Sequence, residues 1–216
     1  MKLALFAFGP FGPWDVNTTD VVTQRVAEAL RSEGVSVVRR VLPVVLRAAP
    51  QELLSCLDAE QPDAVLATGL AGLRPDIDVE RVAVNVADFR IPDNSGFFPR
   101  GERLDPDGPD AWLASVNVHA MRDRIASAGA RSRVSNTAGT YLCNAIHYHL
   151  LSWSRPRGVP GMFLHIPPLP AAAENGARRA PEAIAEDVGM ELDLQVAGVA
   201  EGARFLLEAA GSVASS

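Results

Sequence analysis

The chain has 216 residues, 48% of them hydrophobic and 21% charged, with a mean hydropathy of +0.08, which excludes a globally disordered protein. Its net charge of −6 argues against a nucleic-acid partner, since such partners are bound through clustered Lys and Arg. No segment has the roughly 18–20 consecutive apolar residues of a membrane helix. The apolar N-terminus is broken at Gly9 and Pro10, which is unlike a signal peptide. We therefore expect a cytoplasmic protein in which Cys56 and Cys143 stay reduced.

The first half of the chain alternates apolar runs, which are typical of buried strands, with helical patterns. Asn17 and Thr18 offer capping side chains for the first helix, and Gly34 follows its end. Strands are predicted over residues 2–8, 35–42, 64–68 and 78–89, and helices over residues 19–32 and 48–59.

The second half opens with residues 92–118, whose Pro, Gly, Asp and Arg content predicts a long excursion of the chain. Beyond it we predict helices over residues 118–129, 141–153 and 180–210, strands over 134–136 and 161–166, and a loose segment over 171–179. Strands and helices that alternate through short links indicate an α/β fold, with a parallel sheet covered by helices on both faces. There is no linker or repeat, so residues 1–216 are expected to form one domain.

Cys143 is the first candidate for chemistry because it follows a turn of small and polar residues that leads into a helix. Free N–H groups at a helix N-terminus stabilise a thiolate and can also hold the oxyanion of an acyl-transfer intermediate. The plainer interpretation is a buried cysteine that packs like a small hydrophobic residue. Cys56 lies in the middle of a helix among leucines, where only the plainer interpretation applies.

Four histidines compete as the base for this thiol: His119, His147, His149 and His165. His165 lies near the C-terminal end of a predicted buried strand, where active sites of open parallel sheets are found. His147 lies one helical turn beyond Cys143 and is not excluded by its spacing. Position favours His165 over His147. An acid that orients the histidine is not chosen by spacing: Glu80 lies within an apolar strand pattern, while Asp88 and Asp93 remain rivals.

Metal and cofactor sites are not expected. The sequence has no CxxC or HExxH motif, and His147 and His149 are two residues apart, which does not suit one helical face. The segment from Gly9 to Gly12 lacks the Gly-Lys-Ser/Thr of a phosphate loop.

Five sequence blocks, in order, resemble the pyroglutamyl peptidase I (pyrrolidone-carboxylate peptidase) family of cysteine peptidases. They are Phe8-Gly9-Pro10-Phe11-Gly12, Val41-Leu42-Pro43-Val44, Glu80-Arg81-Val82-Ala83-Val84-Asn85 with Arg90-Ile91-Pro92-Asp93-Asn94, Ser135 through Asn144, and Leu164-His165-Ile166-Pro167. The resemblance covers nearly the whole chain. It implies a three-layer α/β/α sandwich with a mostly parallel, mixed sheet.

The resemblance also implies an activity, which is removal of an N-terminal pyroglutamyl residue from peptides. In that case Cys143 is the nucleophile, His165 the base and Glu80 the third member of the triad, with Arg90 beside the cysteine. The family further implies a homo-oligomer, commonly a dimer or tetramer. The residues expected to form the substrate pocket are Phe8, Phe11, Val44, Leu70, Ile91 and Leu142.

The blocks depart from the family pattern in segments that face the substrate, at Ala7, Gly9, Leu73 and Ala171-Ala172, while the triad is intact. These departures leave two alternatives to compare with a peptidase. One is a catalytically weak relative that binds pyroglutamyl or other lactam ligands without efficient turnover. The other is an amidohydrolase or phosphorylase-like enzyme on a similar fold, which rests on analogy of fold alone.

Overall fold

The computed structural model of the chain describes residues 1–12, 17–170 and 189–213. Its strands are β1 (Lys2–Phe8), β2 (Ser36–Leu42), β3 (Ala64–Leu70), β4 (Ile77–Glu80), β5 (Val82–Val84), β6 (Ala87–Asp88), β7 (Arg100–Glu102), β8 (Ala111–Leu113), β9 (Ser132–Ser135) and β10 (Gly161–Ile166). Its helices are α1 (Thr18–Ser32), α2 (Ala49–Glu60), α3 (Val118–Ser127), α4 (Leu142–Ser154) and α5 (Leu192–Val213), with a 3₁₀ turn at Arg155–Arg157.

Six strands form the central sheet in the order β2-β1-β3-β10-β4-β9. The four strands β2, β1, β3 and β10 are mutually parallel. β4 runs antiparallel to β10, and β9 is parallel to β4. The sheet is therefore mixed and mostly parallel, and the carboxyl ends of β1, β3 and β10 meet at one edge, where ligand sites of such sheets are found.

Two apolar cores, one on each face of the sheet, make the fold a three-layer α/β/α sandwich. On one face α1, α3 and α5 pack through buried residues such as Val26, Ile125 and Leu206. On the other face α2 and α4 pack through residues such as Leu53 and Ile146. The α/β class and the layered architecture predicted above are confirmed.

Both ends of α1 have the capping residues that the sequence predicts. The Asn17 side chain accepts a hydrogen bond from the Thr19 N–H at 3.1 Å and so caps the helix. Gly34, just beyond the helix, has a φ of +84°, a conformation that glycine adopts without strain.

The prediction of one strand over residues 78–89 was wrong, because the chain leaves the central sheet after Glu80. The buried Asn144 side chain accepts a hydrogen bond from the Val84 N–H and donates to the carbonyls of Val84 and Val86. These bonds turn the segment away, and its two short strands β5 and β6 pair antiparallel with β8 and β7. The excursion predicted over residues 92–118 is therefore present, but it supplies β7 and β8.

Two predictions fall partly or wholly outside the described residues. The loose segment over residues 171–179 lies outside them, as does the beginning of the helix predicted over residues 180–210. The described part of that helix is α5, Leu192–Val213. None of the helices within the described residues is long and apolar enough to cross a membrane.

Candidate active site

The helix α4 begins at Leu142, directly after the N-cap Tyr141, and presents Cys143 as its second residue. The first N–H groups of an α-helix have no partner within the helix, so they point at whatever lies before it. The preceding turn is held against the end of β6: Thr140 Oγ1 donates to the Asp88 carbonyl at 2.6 Å, and the Asp88 N–H donates to the Thr140 carbonyl at 3.1 Å. These bonds fix the position at which α4 begins.

The Cys143 thiol lies over the backbone of β3 at Gly69. A Cβ atom at position 69 would be 2.8 Å from Cys143 Sγ and 2.7 Å from Phe163 Cζ, closer than real Cβ contacts come. Only glycine therefore leaves room for the thiol at this height above the sheet. Sequence reasoning missed Gly69, although a glycine inside a strand is a known sign of close approach.

His165 lies near the end of β10 and is 5% exposed. Its Nδ1 is 2.7 Å from Glu80 Oε1, within hydrogen-bond distance. Burial disfavours the charged ring, but the charge of Cys143 and hydrogen bonds with Cys143 and Glu80 overcome it and raise the pKa of His165 to about 9. The structure thus brings the three predicted triad residues together from α4, β10 and β4.

Glu80 is completely buried at the last position of β4. Its Oε1 also accepts a hydrogen bond from Arg74 Nη1 at 2.9 Å, so one oxygen meets both the imidazole and a guanidinium. Its Oε2 has no hydrogen-bond partner among the described residues. A buried carboxylate needs such partners to stay charged.

The two rival acids lie elsewhere. The Asp88 side chain is 55% exposed and 3.8 Å from Arg100 Nε. Asp93 is buried, and its oxygens accept hydrogen bonds from the N–H groups of Leu46, Ser95 and Phe97. Burial opposes the charge of Asp93, but these bonds and the Ser95 hydroxyl outweigh it and lower its pKa. Asp93 therefore shapes a loop, and of the three candidate acids it is Glu80 that contacts the histidine.

His147, the rival base, is fully buried inside α4. Neither of its ring nitrogens has a hydrogen-bond partner among the described residues. Burial, together with the charge of nearby His165, lowers the pKa of His147 to about 3, so its ring stays neutral. Its ring centroid is 5.7 Å from that of Phe163, which in turn lies 5.1 Å from His165. The geometry favours His165 as the base.

An apolar pocket opens beside the thiol at the carboxyl edge of the sheet. Five of the six predicted pocket residues lie around it, at the ends of strands or the start of α4. The residues that line it are Phe8, Phe11, Asn17, Val44, Leu70, Tyr141, Leu142 and Cys143. None of them carries a full charge except an ionised thiol, so the pocket suits a neutral ligand with an apolar face.

Ile91 and Arg90 lie outside this lining, on the loop after β6. The Ile91 side chain is 47% exposed. Arg90 is also exposed, and its side chain makes no hydrogen bond within the described residues. The same loop reaches the pocket through Tyr141, whose hydroxyl donates to the Pro92 carbonyl at 3.3 Å and whose ring packs on Phe89.

Comparison with known proteins gives a consistent result. The pyroglutamyl peptidase family model matches residues 1–207. A pyrrolidone-carboxylate peptidase of Escherichia fergusonii is 43% identical over an alignment of 211 residues that covers 92% of this chain and 98% of that protein. The chain belongs to the pyroglutamyl peptidase family.

Solved structures of the pyroglutamyl peptidase family have the same fold as this chain. A mutant pyrrolidone carboxyl peptidase from the hyperthermophile Pyrococcus furiosus superposes with a TM-score of 0.84 at 31% identity, covering 96% of this chain and 99% of its own. Pyroglutamyl peptidase I from Bacillus amyloliquefaciens gives a TM-score of 0.84 at 29% identity, covering 95% of this chain and 94% of its own. The family resemblance read from the five blocks is confirmed.

Besides Gly69, sequence reasoning missed two polar residues of the candidate active site. Arg74 contacts Glu80, but in the sequence it stands in a loop where an exposed arginine is ordinary. Asn144 is buried beside the nucleophile candidate and clamps β5. Its signal was available, since an Asn inside an apolar helix pattern must find partners for its amide.

Proposed function

We propose that this chain hydrolyses the amide bond after an N-terminal pyroglutamyl residue of peptides, with Cys143 as nucleophile, His165 as general base and acid, and Glu80 orienting His165. One observation carries the assignment: the imidazole of His165 lies 2.7 Å from the buried carboxylate of Glu80, and the Cys143 thiol, in the first turn of α4, lies over Gly69, the register partner of His165. That arrangement of nucleophile, base and orienting acid is what acyl transfer through a thioester requires.

The reaction proceeds in two halves. His165 takes the proton of Cys143, and the thiolate attacks the pyroglutamyl carbonyl carbon to form a tetrahedral intermediate. His165 then gives this proton to the leaving amine as the C–N bond breaks, leaving a thioester. Water attacks the thioester carbonyl as His165 accepts a proton from it. The C–S bond then breaks, and His165 returns this proton to the Cys143 sulfur. Glu80 holds the His165 tautomer and stabilises the imidazolium in both halves.

The free N–H groups in the first turn of α4 are the proposed oxyanion donors, because they lie next to the attacking sulfur and are already oriented. Arg90 is proposed to assist, from a loop that the Thr140–Asp88 hydrogen bonds tie to the same turn. Its exposed guanidinium has no other partner within the described residues that would hold it elsewhere.

Substrate selection follows from the pocket. A pyroglutamyl ring is neutral and half apolar, so it suits walls formed by Phe8, Phe11, Val44, Leu70 and Leu142. An ordinary N-terminus would bring an ammonium group into these walls without a counter-charge, which is costly. Ile91, on the loop above, is proposed to contact the ring when the substrate is bound.

The relatives named above are called peptidases, which favours hydrolysis over a protein that only binds lactams. We further infer one domain over residues 1–216, which the family match over residues 1–207 supports. A homo-oligomer, a dimer or a tetramer, is proposed from family membership alone. A cytoplasmic location is supported by the two free thiols, which a reducing compartment would preserve.

The test is hydrolysis of a chromogenic pyroglutamyl amide by the purified chain, with and without iodoacetamide. We expect turnover that iodoacetamide abolishes, turnover lost in Cys143→Ala, and turnover nearly intact in Cys56→Ala, since Cys56 lies mid-helix on α2. A prolyl amide, whose nitrogen is charged, should be a poor substrate. If the Cys56 variant were the inactive one, the assignment of the nucleophile would be wrong.

A further inference from the structure

Five charged or titratable side chains form a continuous chain of contacts that ends at the active site. Arg133 Nε lies 2.6 Å from Asp78 Oδ1, and Arg74 Nη1 lies 2.6 Å from Asp78 Oδ2. The same Arg74 nitrogen lies 2.9 Å from Glu80 Oε1, which meets His165 Nδ1 at 2.7 Å. Asp78 and Glu80 are both completely buried. The mechanism above uses only the last two of these five residues.

Strand pairing explains why these side chains contact one another in succession. Asp78 and Glu80 are two residues apart on β4, so their side chains lie on the same face. Asp78 is the register partner of His165 on β10 and of Arg133 on β9. Arg74 comes from the turn between β3 and β4 and reaches across this face, where it ends between the two carboxylates.

Arg74 also touches the turn that leads to the nucleophile. Its Nη2 donates to the Thr137 carbonyl at 3.2 Å, and Thr137 lies in the turn before α4. One planar guanidinium therefore links the strand that carries Glu80 to the turn that precedes Cys143. Asp78 holds this guanidinium in place, and Arg133 neutralises the remaining charge of Asp78.

The orientation of the Glu80 carboxylate depends on these partners. Its Oε1 has two donors, His165 and Arg74, whereas its Oε2 has none among the described residues. If Arg74 were absent, the imidazole would be the single donor within the described residues, and the carboxylate could rotate to offer either oxygen. Such a rotation weakens the support that Glu80 gives to His165.

We propose that Arg74, fixed by Asp78, is a positioning residue for catalysis that acts through Glu80. The proposal rests on the function proposed above. It differs from a purely structural role, in which Arg74 would only neutralise two buried acids. In the structural case, loss of Arg74 would lower stability without a specific effect on the triad.

The distinguishing experiment is a double-mutant cycle with Arg74→Gln and Glu80→Gln. We expect Arg74→Gln to lower kcat for a pyroglutamyl amide by roughly 10- to 100-fold, with KM changed by less than about 3-fold, because the triad and not the pocket is affected. In the Glu80→Gln background, Arg74→Gln should lower kcat by less than about 3-fold. Arg74→Lys, which keeps the charge but not the planar fork, should recover part of the loss.

A second measurement does not depend on turnover, so it can be made on variants whose kcat is too low to detect. The rate at which iodoacetamide alkylates Cys143 reports how well His165 supports the thiolate. The alkylation rate should fall several-fold when Arg74→Gln is made in the wild type. When Arg74→Gln is added to the Glu80→Gln variant, the rate should not fall further. Arg124→Gln serves as the matched control, because Arg124 also bridges two acids, Glu201 and Glu208, but on helices away from the site. It should leave both rates unchanged.

An equal loss of kcat with and without Glu80 would overturn the proposal, as would a change confined to KM. If Arg74→Gln does not fold, the cycle is run with Arg74→Lys, for which we expect a loss of roughly 3- to 10-fold only when Glu80 is present. Failure of the proposed function looks different: the wild-type chain would not hydrolyse the amide, or Cys143→Ala would remain active.

Discussion

At the scale of single residues, the sequence points to Cys143 and His165 by position, because each stands at the end of an element that opens on the same edge of the sheet. Spacing does not choose the acid among Glu80, Asp88 and Asp93. The family resemblance implies Glu80, and in the structure it is Glu80 that contacts His165. Arg74 was not predictable, since its role depends on two carboxylates that a strand brings to one face.

Glu80→Gln tests the residue on which the sequence was least informative. The amide keeps the size of the side chain but removes the charge that stabilises protonated His165, and its NH₂ can favour the wrong tautomer. We expect kcat for a pyroglutamyl amide to fall by about 10²-fold or more, while KM changes little because Glu80 does not line the pocket.

The same variant should change the pH profile. The contacts with Cys143 and Glu80 raise the pKa of His165 to about 9 against the effect of burial. The imidazolium is needed to protonate the leaving amine, so kcat/KM should decline as pH rises through this value. Glu80→Gln removes one of the raising contacts, and the decline should move to lower pH. A near-normal kcat with an unshifted profile would show that another group orients His165.

At the scale of elements, strands and helices follow from apolar periodicity, and most boundaries lie within two residues of the prediction. The exception is the segment after β4, where the apolar pattern continues but the chain leaves the sheet. The buried amide of Asn144 captures the backbone of that segment from α4. These hydrogen bonds join residues about sixty positions apart in the chain, so no local sequence pattern predicts them.

Gly69→Ala tests how β3 positions Cys143, the proposed nucleophile. The new Cβ would lie 2.8 Å from Cys143 Sγ and 2.7 Å from Phe163 Cζ, so either the thiol or the ring must shift. Because catalysis is sensitive to displacements of about 1 Å, we expect kcat to fall by roughly 10²-fold. Gly211→Ala is the control in α5, away from the site, where the nearest atom outside the helix backbone to a new Cβ is Met1 Sδ at 3.9 Å. Equal activity of the two variants would contradict this account of the thiol's position.

At the scale of the whole molecule, two apolar cores on either face of the sheet carry the stability. The buried polar residues form two groups. Asp78 and Asn144 have well-placed partners and Glu80 has two at one oxygen, whereas His147 has none for either ring nitrogen among the described residues. A histidine buried in this way must be neutral, so its titration is linked to unfolding of the molecule as a whole.

The sign of this linkage is fixed by the direction of the shift. Burial, helped by the charge of His165, lowers the pKa of His147 from 6.5 to about 3 in the folded protein. Between these two values the unfolded chain binds a proton at His147 that the folded chain does not. The free energy of unfolding therefore falls as the pH falls, by about 1.4 kcal/mol per pH unit from this residue. Above pH 6.5 His147 makes no contribution to the slope.

His147→Leu should remove that slope without removing the activity. At pH 7 we expect the variant to unfold within about 1.5 kcal/mol of the wild type, because the small cavity it leaves is offset by relief of two unpaired polar atoms. Between pH 6.5 and pH 4.5 the difference should move in favour of the variant by about 1.4 kcal/mol per pH unit. Urea unfolding of both proteins at several pH values measures this, and the carboxylates common to both cancel in the difference. A constant difference would mean that His147 binds protons equally in the folded and the unfolded chain. A loss of kcat comparable to that of His165→Ala would reopen the choice of base.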